Sequence, residues 1–165
     1  MTRTNELAEE DQAQSRIAVD DVTDPRVVAL LTEHLAQMHE HSPADSVHAL
    51  GLESLRRPEV TVWVAWEGGQ PAGCAALLRL DEHHGEIKSM RTAEGYLRRG
   101  IAARLLRRLL DEGAERGYRR LSLETGSAEY FLPAQRLYAA NGFGFCAPFG
   151  AYRPDPFSVF MTRTL

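Results

Sequence analysis

Residues 86–106 read EIKSMRTAEGYLRRGIAARLL, and this stretch contains a strand, a basic turn and the start of a helix. A strand is predicted over 86–92. Leucines at helical spacing predict a helix over 100–116, with Gly117 just past its end. A strand that runs into a helix through a short turn is the building unit of α/β folds. The fold class therefore depends on the elements that surround this unit.

The other elements give the order β-α-α-β-β-β-α-β-α-β-β. Gly68-Gly69 predicts a hairpin, and helix-start signals predict one helix from Pro25 and a second from Ser42 onward. The predicted strands are 16–22, 60–67, 71–80, 86–92, 119–125, 143–147 and 157–164, and a last helix is predicted over 133–140. We expect an α/β (α+β) fold: a central mixed, mostly antiparallel, twisted sheet of about seven strands, with helices on both faces.

Composition indicates one compact domain, because 44% of the 165 residues are apolar and 25% are charged. The domain is assigned to residues 15–165, and the polar, aperiodic residues 1–14 are predicted to form a disordered arm. The net charge of −4 argues against nucleic acid as a partner. No secretory leader and no apolar stretch of bilayer-crossing length is visible, so we expect a cytoplasmic protein without a membrane partner.

The two cysteines, Cys74 and Cys146, stand apart in apolar strand segments. They form no CxxC pair and no disulfide framework, so we expect reduced thiols. Neither has a histidine nearby in sequence, which disfavours a covalent cysteine intermediate. The neighbours His83 and His84 point apart in a turn, so no metal site is expected.

The turn before the long helix has the composition of an anion site. A helix start leaves its first amides without partners and carries partial positive charge, so small residues there let a phosphate reach the backbone. The small residues are Gly100, Ala102 and Ala103, and the flanking arginines are Arg98 and Arg99. Walker A and GxGxxG patterns are both absent, which favours a diphosphate ligand other than a nucleoside triphosphate. The alternative is a solvated basic cap.

Two motifs make this interpretation more specific. Residues 97–102 read LRRGIA and resemble motif A of the GNAT superfamily of acetyl-CoA-dependent N-acetyltransferases, Gln/Arg-x-x-Gly-x-Gly/Ala, except that Leu97 stands first. Residues 134–143 read AQRLYAANGF and resemble the family's Ala-x-x-Leu-Tyr-x-x-x-Gly-Phe, with Phe131 where an asparagine often opens the motif. The resemblance spans about residues 16–165. Residues 85–92 and 148–161 resemble a bacterial subgroup whose members mostly have no assigned substrate.

The resemblance implies an enzyme that moves an acetyl group from acetyl-CoA to a primary amine by direct attack. It implies Met90 as the oxyanion donor through its backbone N–H, Tyr138 as the general acid, and Thr92 as part of the pantetheine channel. Glu86 matches the general-base glutamate of histone-type members, and partial burial would raise the pKa of its carboxyl. The cofactor-binding residues are Met90, Thr92, Arg98, Arg99, Gly100, Ile101, Ala102 and Ala103.

Acceptor-binding groups are expected in two places. His39, His41 and His48 lie in the polar elbow between the first two helices, where GNAT enzymes gather such groups, and one of them could serve as an alternative base. Arg153 lies in a Pro-rich loop that faces the acceptor cleft in this fold, and arginine suits a carboxylate. The expected acceptor is an amine of a small molecule or peptide, with an acidic group as a preference.

Three of these assignments have alternatives. Glu86 could pair with Lys88 on the sheet surface, and Tyr138 could simply pack in the core. The chain could also be a non-catalytic CoA-binding sensor or interaction module, which the departures at Leu97 and Phe131 favour. A homodimer is possible, since dimers are common in this family.

Overall fold

The computed structural model describes residues 15–165, and the predicted arm over 1–14 lies outside the described residues. The strands are β1 (Ser15–Asp20), β2 (Val60–Glu67), β3 (Gln70–Arg79), β4 (His84–Thr92), β5 (Arg120–Gly126), β6 (Gly144–Cys146) and β7 (Ser158–Thr164). The α-helices are α1 (Pro25–His41), α2 (Leu52–Leu55), α3 (Ile101–Glu115) and α4 (Leu132–Ala140). Single 3₁₀ turns occur at Ala44–Ser46, Glu94–Tyr96 and Glu129–Phe131.

The seven strands form one sheet in the order β1-β2-β3-β4-β5-β7-β6. Only β4 and β5 pair in parallel; the other five pairings are antiparallel. The parallel pair is connected through α3, because parallel strands need a crossover connection. The predicted mixed, mostly antiparallel sheet with helices on both faces is confirmed.

Two apolar cores lie on opposite faces of the sheet, because alternate residues of a strand point to opposite sides. Leu105, Leu106 and Leu109 bring α3 onto one face, where they pack with Leu77 and Leu121. Val27, Leu30 and Leu31 bring α1 onto the other face, where they pack with Val64 and Ala76. Together the two faces place β3 and β4 in the middle of the molecule.

The predicted second helix is wrong in length. The segment between α1 and β2 contains a 3₁₀ turn at Ala44–Ser46, an irregular stretch and the single turn of α2. Ser42 is extended, with φ −140° and ψ 147°, because a residue before a proline avoids the helical region. The helix therefore stops at His41, just before Ser42 and Pro43, and the elbow between α1 and α2 stays mostly non-helical.

No helix among residues 15–165 is long and apolar enough to span a membrane.

Gly73 is required by the close approach of α3 to β3. A Cβ at this position would lie 2.7 Å from the Arg91 carbonyl oxygen and 2.8 Å from Ile101 Cγ2. Gly73→Ala is expected to lower the free energy of unfolding by roughly 1–3 kcal/mol, because an inserted methyl forces the backbone apart. Urea denaturation measures the change. Gly51→Ala, where nothing lies within 4 Å of the new methyl, is the control, and equal losses in both variants would contradict the packing argument.

His34 makes folding sensitive to acid. Burial, reinforced by the positive charge of Arg91, lowers the pKa of His34 to about 4. Between that pKa and the ordinary value near 6.5, His34 binds a proton in the unfolded chain but stays neutral in the native protein. The free energy of unfolding therefore falls as the pH falls. Relative to His34→Gln, the wild type is expected to lose up to about 3 kcal/mol on going from pH 7 to pH 4. Denaturation at several pH values tests this, with exposed His83→Gln as the control; parallel curves for wild type and His34→Gln would refute it.

Candidate active site

A bulge interrupts β4 at Ser89. Cys74 on β3 pairs with Arg91, whereas Ala76 pairs with Lys88, so β4 carries one extra residue between these pairs. Ser89 accommodates this extra residue by adopting a left-handed backbone conformation, with a φ of 51°. A bulge bends its strand and changes where the following backbone groups point, and this one lies at the centre of the sheet.

β4 and β5 separate just before that bulge. Their parallel ladder runs from the pair His84–Arg120 to the pair Ile87–Leu123 and then ends. Beyond it, β4 continues to Thr92 along β3, while β5 continues to Gly126 along β7. A wedge-shaped gap therefore opens in the sheet, and Met90 and Thr92 lie on β4 beside it, half-buried.

The anion turn follows β4 on the same side of the molecule. Arg98 and Gly100 both have left-handed backbone, with φ values of 61° and 76°, and Gly100 caps α3 without any side-chain hydrogen bond. Successive amides in such a turn point into a shared concavity that suits an anion. Arg98, Arg99 and Gly100 are exposed, and nothing lies within 4 Å of the place where a Cβ of Gly100 would stand.

The first residues of α3 complete this turn. Ile101 is buried against Gly73 and anchors the helix start to β3, while Ala102 and Ala103 are half-buried. Their side chains are too small to shield the first amides of the helix. The exposed turn, its open glycine and its arginines therefore fit a diphosphate group.

Tyr138 lies on α4 with only 6% of its surface exposed, and its ring meets Phe143 edge-on at 5.8 Å. Burial raises the pKa of its hydroxyl far above the ordinary value, and the negative charge of Glu124 raises it further. The hydroxyl therefore keeps its proton at neutral pH. Tyr138 packs in the core between the sheet and α3, and the negative charge of Glu124 acts on its hydroxyl.

Glu86 and Lys88 form a buried ion pair on the α1 face of β4. Lys88 Nζ lies 3.2 Å from Glu86 Oε1, and it also donates to the Tyr152 hydroxyl at 2.8 Å and to the His48 carbonyl oxygen at 2.9 Å. Tyr152 donates to Glu86 Oε1 at 2.5 Å. The pairing of Glu86 with Lys88 was the alternative expectation, but the structure places the pair inside the protein and not on the sheet surface.

Glu124 is the functional candidate that sequence reasoning missed. It lies on β5, one residue after the last β4–β5 pair, and it is half-buried. Burial raises the pKa of its carboxyl, while the Ser158 hydroxyl and the charges of His48 and Lys88 oppose that rise. The sequence does contain a signal for it, since apolar and polar residues alternate over 121–124. This alternation places Glu124 on the same face of the sheet as Ser122.

The structure brings His48 to this site, but not His39 or His41. His39 is exposed on the last turn of α1, and His41, on the same turn, stacks on Tyr130 at 3.6 Å. Both lie in the last turn of α1, which ends at His41, so their expected place in the elbow is wrong, while their role as acceptor-binding groups stays a prediction. The His48 ring meets the Tyr152 ring edge-on at 5.1 Å. Arg153, next to Tyr152 in the loop before β7, is exposed.

A second polar group lies where α1 crosses β4. Arg91 pairs with Glu33 at 3.0 Å and donates to Gln37, which also accepts the Tyr130 hydroxyl at 2.9 Å. Four buried side-chain atoms among residues 15–165 have no hydrogen-bond partner, and two of them, Arg91 Nε and Ser89 Oγ, belong to this part of β4; the others are His34 Nδ1 and Ser158 Oγ. Buried donors without partners need water or a ligand.

Burial raises the pKa of both cysteine thiols in the described part of the chain. Burial raises the pKa of the Cys74 thiol to about 12, so it is not a thiolate at neutral pH. Cys146 lies on β6 at the far edge of the sheet from β4. No group of three His, Cys, Asp or Glu side chains within residues 15–165 is arranged to hold a metal ion.

Comparison with known proteins agrees with this geometry. A crystal structure from Klebsiella pneumoniae, named as an acyl-CoA N-acyltransferase, superposes with a TM-score of 0.74 at 27% identity over 93% of this chain and 99% of that one. The chain is 55% identical to the uncharacterized N-acetyltransferase YsnE of Bacillus subtilis (strain 168), over 90% of its length and 99% of YsnE. It is 35% identical to the IAA acetyltransferase of Azospirillum brasilense, over 90% of its length and 97% of that protein.

The model of the acetyltransferase (GNAT) family matches residues 25–145, which include the bulge, the gap and the anion turn. That match covers most of the chain, and the relatives extend over nearly all of it. The protein therefore belongs to the GNAT family and is an N-acetyltransferase.

Proposed function

We propose that the protein transfers an acetyl group from acetyl-CoA to a primary amine of a small molecule or peptide, by direct attack of the amine. GNAT enzymes use acetyl-CoA as the donor. One observation carries the proposal: the gap between β4 and β5 opens directly beside the anion turn at the start of α3. A ligand with a diphosphate at one end and a reactive thioester at the other would fit this succession of features.

The donor side consists of the anion turn and the free edge of β4. The amides of Gly100, Ile101, Ala102 and Ala103 would hold the diphosphate, with Arg98 and Arg99 adding charge. Beyond Ile87, β4 has no β5 partner, so its backbone groups at Met90 and Thr92 are available to a pantetheine chain in the manner of an added strand. When bound there, acetyl-CoA supplies the activated acetyl group.

The backbone amide of Met90 would act as the oxyanion donor. It follows the bulge at Ser89 and lies on the stretch of β4 that has lost its β5 neighbour. A preorganised N–H at this point would stabilise negative charge as it develops on the thioester oxygen. The register shift at the bulge supports this role, because it would turn that amide away from the regular ladder.

The acceptor side is lined by polar groups on the α1 face of the sheet. Glu86 and Glu124 provide two carboxylates that could receive the ammonium proton, and His48 and Tyr152 border them. Arg153 is exposed in the neighbouring loop, where it could meet an acidic group of the acceptor. The relative from Azospirillum brasilense is named an IAA acetyltransferase, and that name would extend to this chain only if the same acceptor were used.

Thiol release from acetyl-CoA, measured over a panel of amino acids, polyamines and peptides, tests the function directly. An acetyltransferase releases CoA only when an acceptor amine is present. A non-catalytic CoA-binding module would bind acetyl-CoA in calorimetry and release nothing with any amine. Absence of binding would refute both functions.

Changing Arg98 and Arg99 together to alanine is expected to weaken acetyl-CoA binding by about tenfold to a hundredfold, because two charged donors leave the diphosphate. Isothermal titration calorimetry measures the dissociation constant. The matched control replaces Arg57 and Arg79, two exposed arginines outside the turn, and removes the same net charge. Equal affinities for the two double variants would exclude the anion turn as the donor site.

Tyr138→Phe is expected to lower kcat by roughly a hundredfold while the affinity for acetyl-CoA stays near that of the wild type, since a general acid acts only on the leaving thiolate. Steady-state kinetics and calorimetry separate the two quantities. Tyr118→Phe is the control, because Tyr118 is equally buried in the same core. A normal kcat for Tyr138→Phe would show that the tyrosine only packs.

A further inference from the structure

A polar cluster that the proposed reaction does not use lies where α1 crosses β4. Arg91 forms an ion pair with Glu33 at 3.0 Å and donates a hydrogen bond to Gln37. Gln37 also accepts a hydrogen bond from Tyr130, which belongs to the 3₁₀ turn after β5. Because β4 and β5 diverge beyond Ile87, this cluster connects the separated ends of the two strands through one side chain of α1. The cluster therefore borders the gap on the α1 face, which is the acceptor side in the proposed function.

Arg91 lies next to the residue that would hold the thioester oxygen. It directly follows Met90, which packs against the core on the α3 face of the sheet. Neighbouring strand residues point to opposite faces, and the contacts of Arg91 with α1 agree with this alternation. Its positive charge also acts on Cys74, which packs in the core between the sheet and α1. The guanidinium is therefore on the acceptor face, one residue from the proposed oxyanion donor.

The guanidinium of Arg91 has an edge whose hydrogen-bonding capacity is not filled. The Nε–H and one Nη2–H of an arginine point in the same direction and can donate to the two oxygens of one carboxylate. On Arg91, Nη2 donates to a single oxygen of Glu33, and Nε is buried without a hydrogen-bond partner in residues 15–165. A buried donor without a partner destabilises a protein. This edge is therefore suited to a ligand that supplies two adjacent oxygens.

Glu33 is a weakly held partner of that edge. Its side chain is 47% exposed on α1, whereas the side chain of Arg91 is only 11% exposed. An exposed carboxylate contributes little to an ion pair, because water competes for it and its side chain loses conformational freedom in the pair. Glu33 can therefore turn to solvent at a small cost in free energy. A second carboxylate can then accept hydrogen bonds from both Nε and Nη2 of Arg91.

A second polar group on β4 lacks a partner close to the same point. The hydroxyl of Ser89 is buried and has no hydrogen-bond partner among the described residues. Ser89 and Arg91 are the residues on either side of Met90 in the chain. Unpartnered polar groups are rare inside proteins, and two of them flanking one residue indicate a place where water or a ligand completes the hydrogen bonding. The unfilled donors thus surround the residue proposed to stabilise the reacting carbonyl.

We propose that Arg91 binds the carboxylate of the acceptor through Nε and Nη2, that the acceptor is an α-amino acid, and that Glu33 occupies the guanidinium only while the acceptor is absent. This inference rests on the proposed function and deepens it by naming the substrate class. Arg91 directly follows Met90, so a carboxylate bound to it lies close to the reacting nitrogen, as in an α-amino acid. The proposal gives Arg91 the role that the sequence-based expectation gave to Arg153.

The kinetic test compares each α-amino acid with the amine that lacks its carboxylate. The pairs are phenylalanine with phenethylamine, histidine with histamine, and lysine with cadaverine. The wild type is expected to have the higher kcat/KM for an amino acid of these pairs. Arg91→Gln should lower that preference roughly tenfold to a hundredfold, mainly through KM, because two charged donors to the carboxylate are lost. Arg79→Gln, at an exposed arginine on the last residue of β3, removes the same charge and should keep the preference.

Glu33→Gln tests the same site with an exposed residue whose replacement leaves the core intact. Removal of the competing carboxylate should lower KM for the preferred amino acid by about twofold to fivefold, which is the range of an exposed ion pair. It should not lower KM for the matching amine. If Arg91 and Glu33 form only a structural ion pair, both variants lose thermal stability and neither changes the preference. That result would overturn the proposal, as would a preference lost in Arg153→Gln and kept in Arg91→Gln.

A binding measurement without turnover separates this inference from the proposed function. The Nε–H signal of Arg91 in a nitrogen-15 NMR spectrum is assigned by its loss in Arg91→Gln, and CoA replaces acetyl-CoA so that no acetyl group is transferred. The signal should move downfield with at least one of the three amino acids and not with its amine, because Nε gains a hydrogen-bond acceptor.

The two failures are distinguishable in this experiment. No shift with any of the three amino acids, or an equal shift with their amines, overturns the proposal for Arg91 even if CoA is released with an amine. A shift with an amino acid, without CoA release from acetyl-CoA by any amine of the panel, contradicts the proposed function and supports the carboxylate site.

Discussion

The chemistry of this protein depends on one interruption in the hydrogen bonding of the sheet. β4 and β5 are paired over only four residues each, from His84–Arg120 to Ile87–Leu123, and then diverge. Each strand keeps its outer neighbour, β3 for β4 and β7 for β5, so the sheet stays continuous around the gap. Backbone groups that lose a strand partner must be satisfied by water or a ligand. The gap is therefore a binding site made of main chain, with the bulge at Ser89 setting its geometry.

The acceptor side depends on a different kind of constraint, a buried charge that joins distant parts of the chain. Lys88 reaches the His48 carbonyl, 40 residues before it, and the Tyr152 hydroxyl, 64 residues after it. Neither the elbow nor the loop before β7 has regular secondary structure at these points, so neither can hold its own position by a backbone ladder. The buried Lys88 ammonium holds both segments in place instead, because a buried N–H donor without a hydrogen-bond partner would destabilise the fold.

Local signals in the sequence were sufficient for most of the fold. The Gly68-Gly69 turn and the period of Leu105, Leu106 and Leu109 are local signals, and the structure confirms the hairpin and the helix that they predict. The second helix was predicted too long because Ser42, Pro43 and Asp45 resemble a helix start, whereas the chain forms only a 3₁₀ turn there and a single helical turn at Leu52–Leu55. Glu124 was missed because its position beside the gap depends on where the β4–β5 ladder ends. The end of a ladder is set by two strands together and cannot be predicted from the sequence of one strand.

The same reasoning explains why residue type alone could not distinguish the surroundings of the two glutamates. Glu86 and Glu124 are both strand carboxylates on one face of the sheet, and only their partners distinguish them: Glu86 has a cation and a tyrosine hydroxyl, and Glu124 has neither at hydrogen-bonding distance within residues 15–165. Burial without a counter-charge favours the neutral form of an acid and the protonated form of a phenol alike. It therefore acts in the same direction on Glu124 and Tyr138, and the charge of Glu124 reinforces the effect on the tyrosine. In the proposed reaction, a carboxylate that gains a proton and a phenol that holds one are the two groups that an amine nucleophile and a thiolate leaving group require.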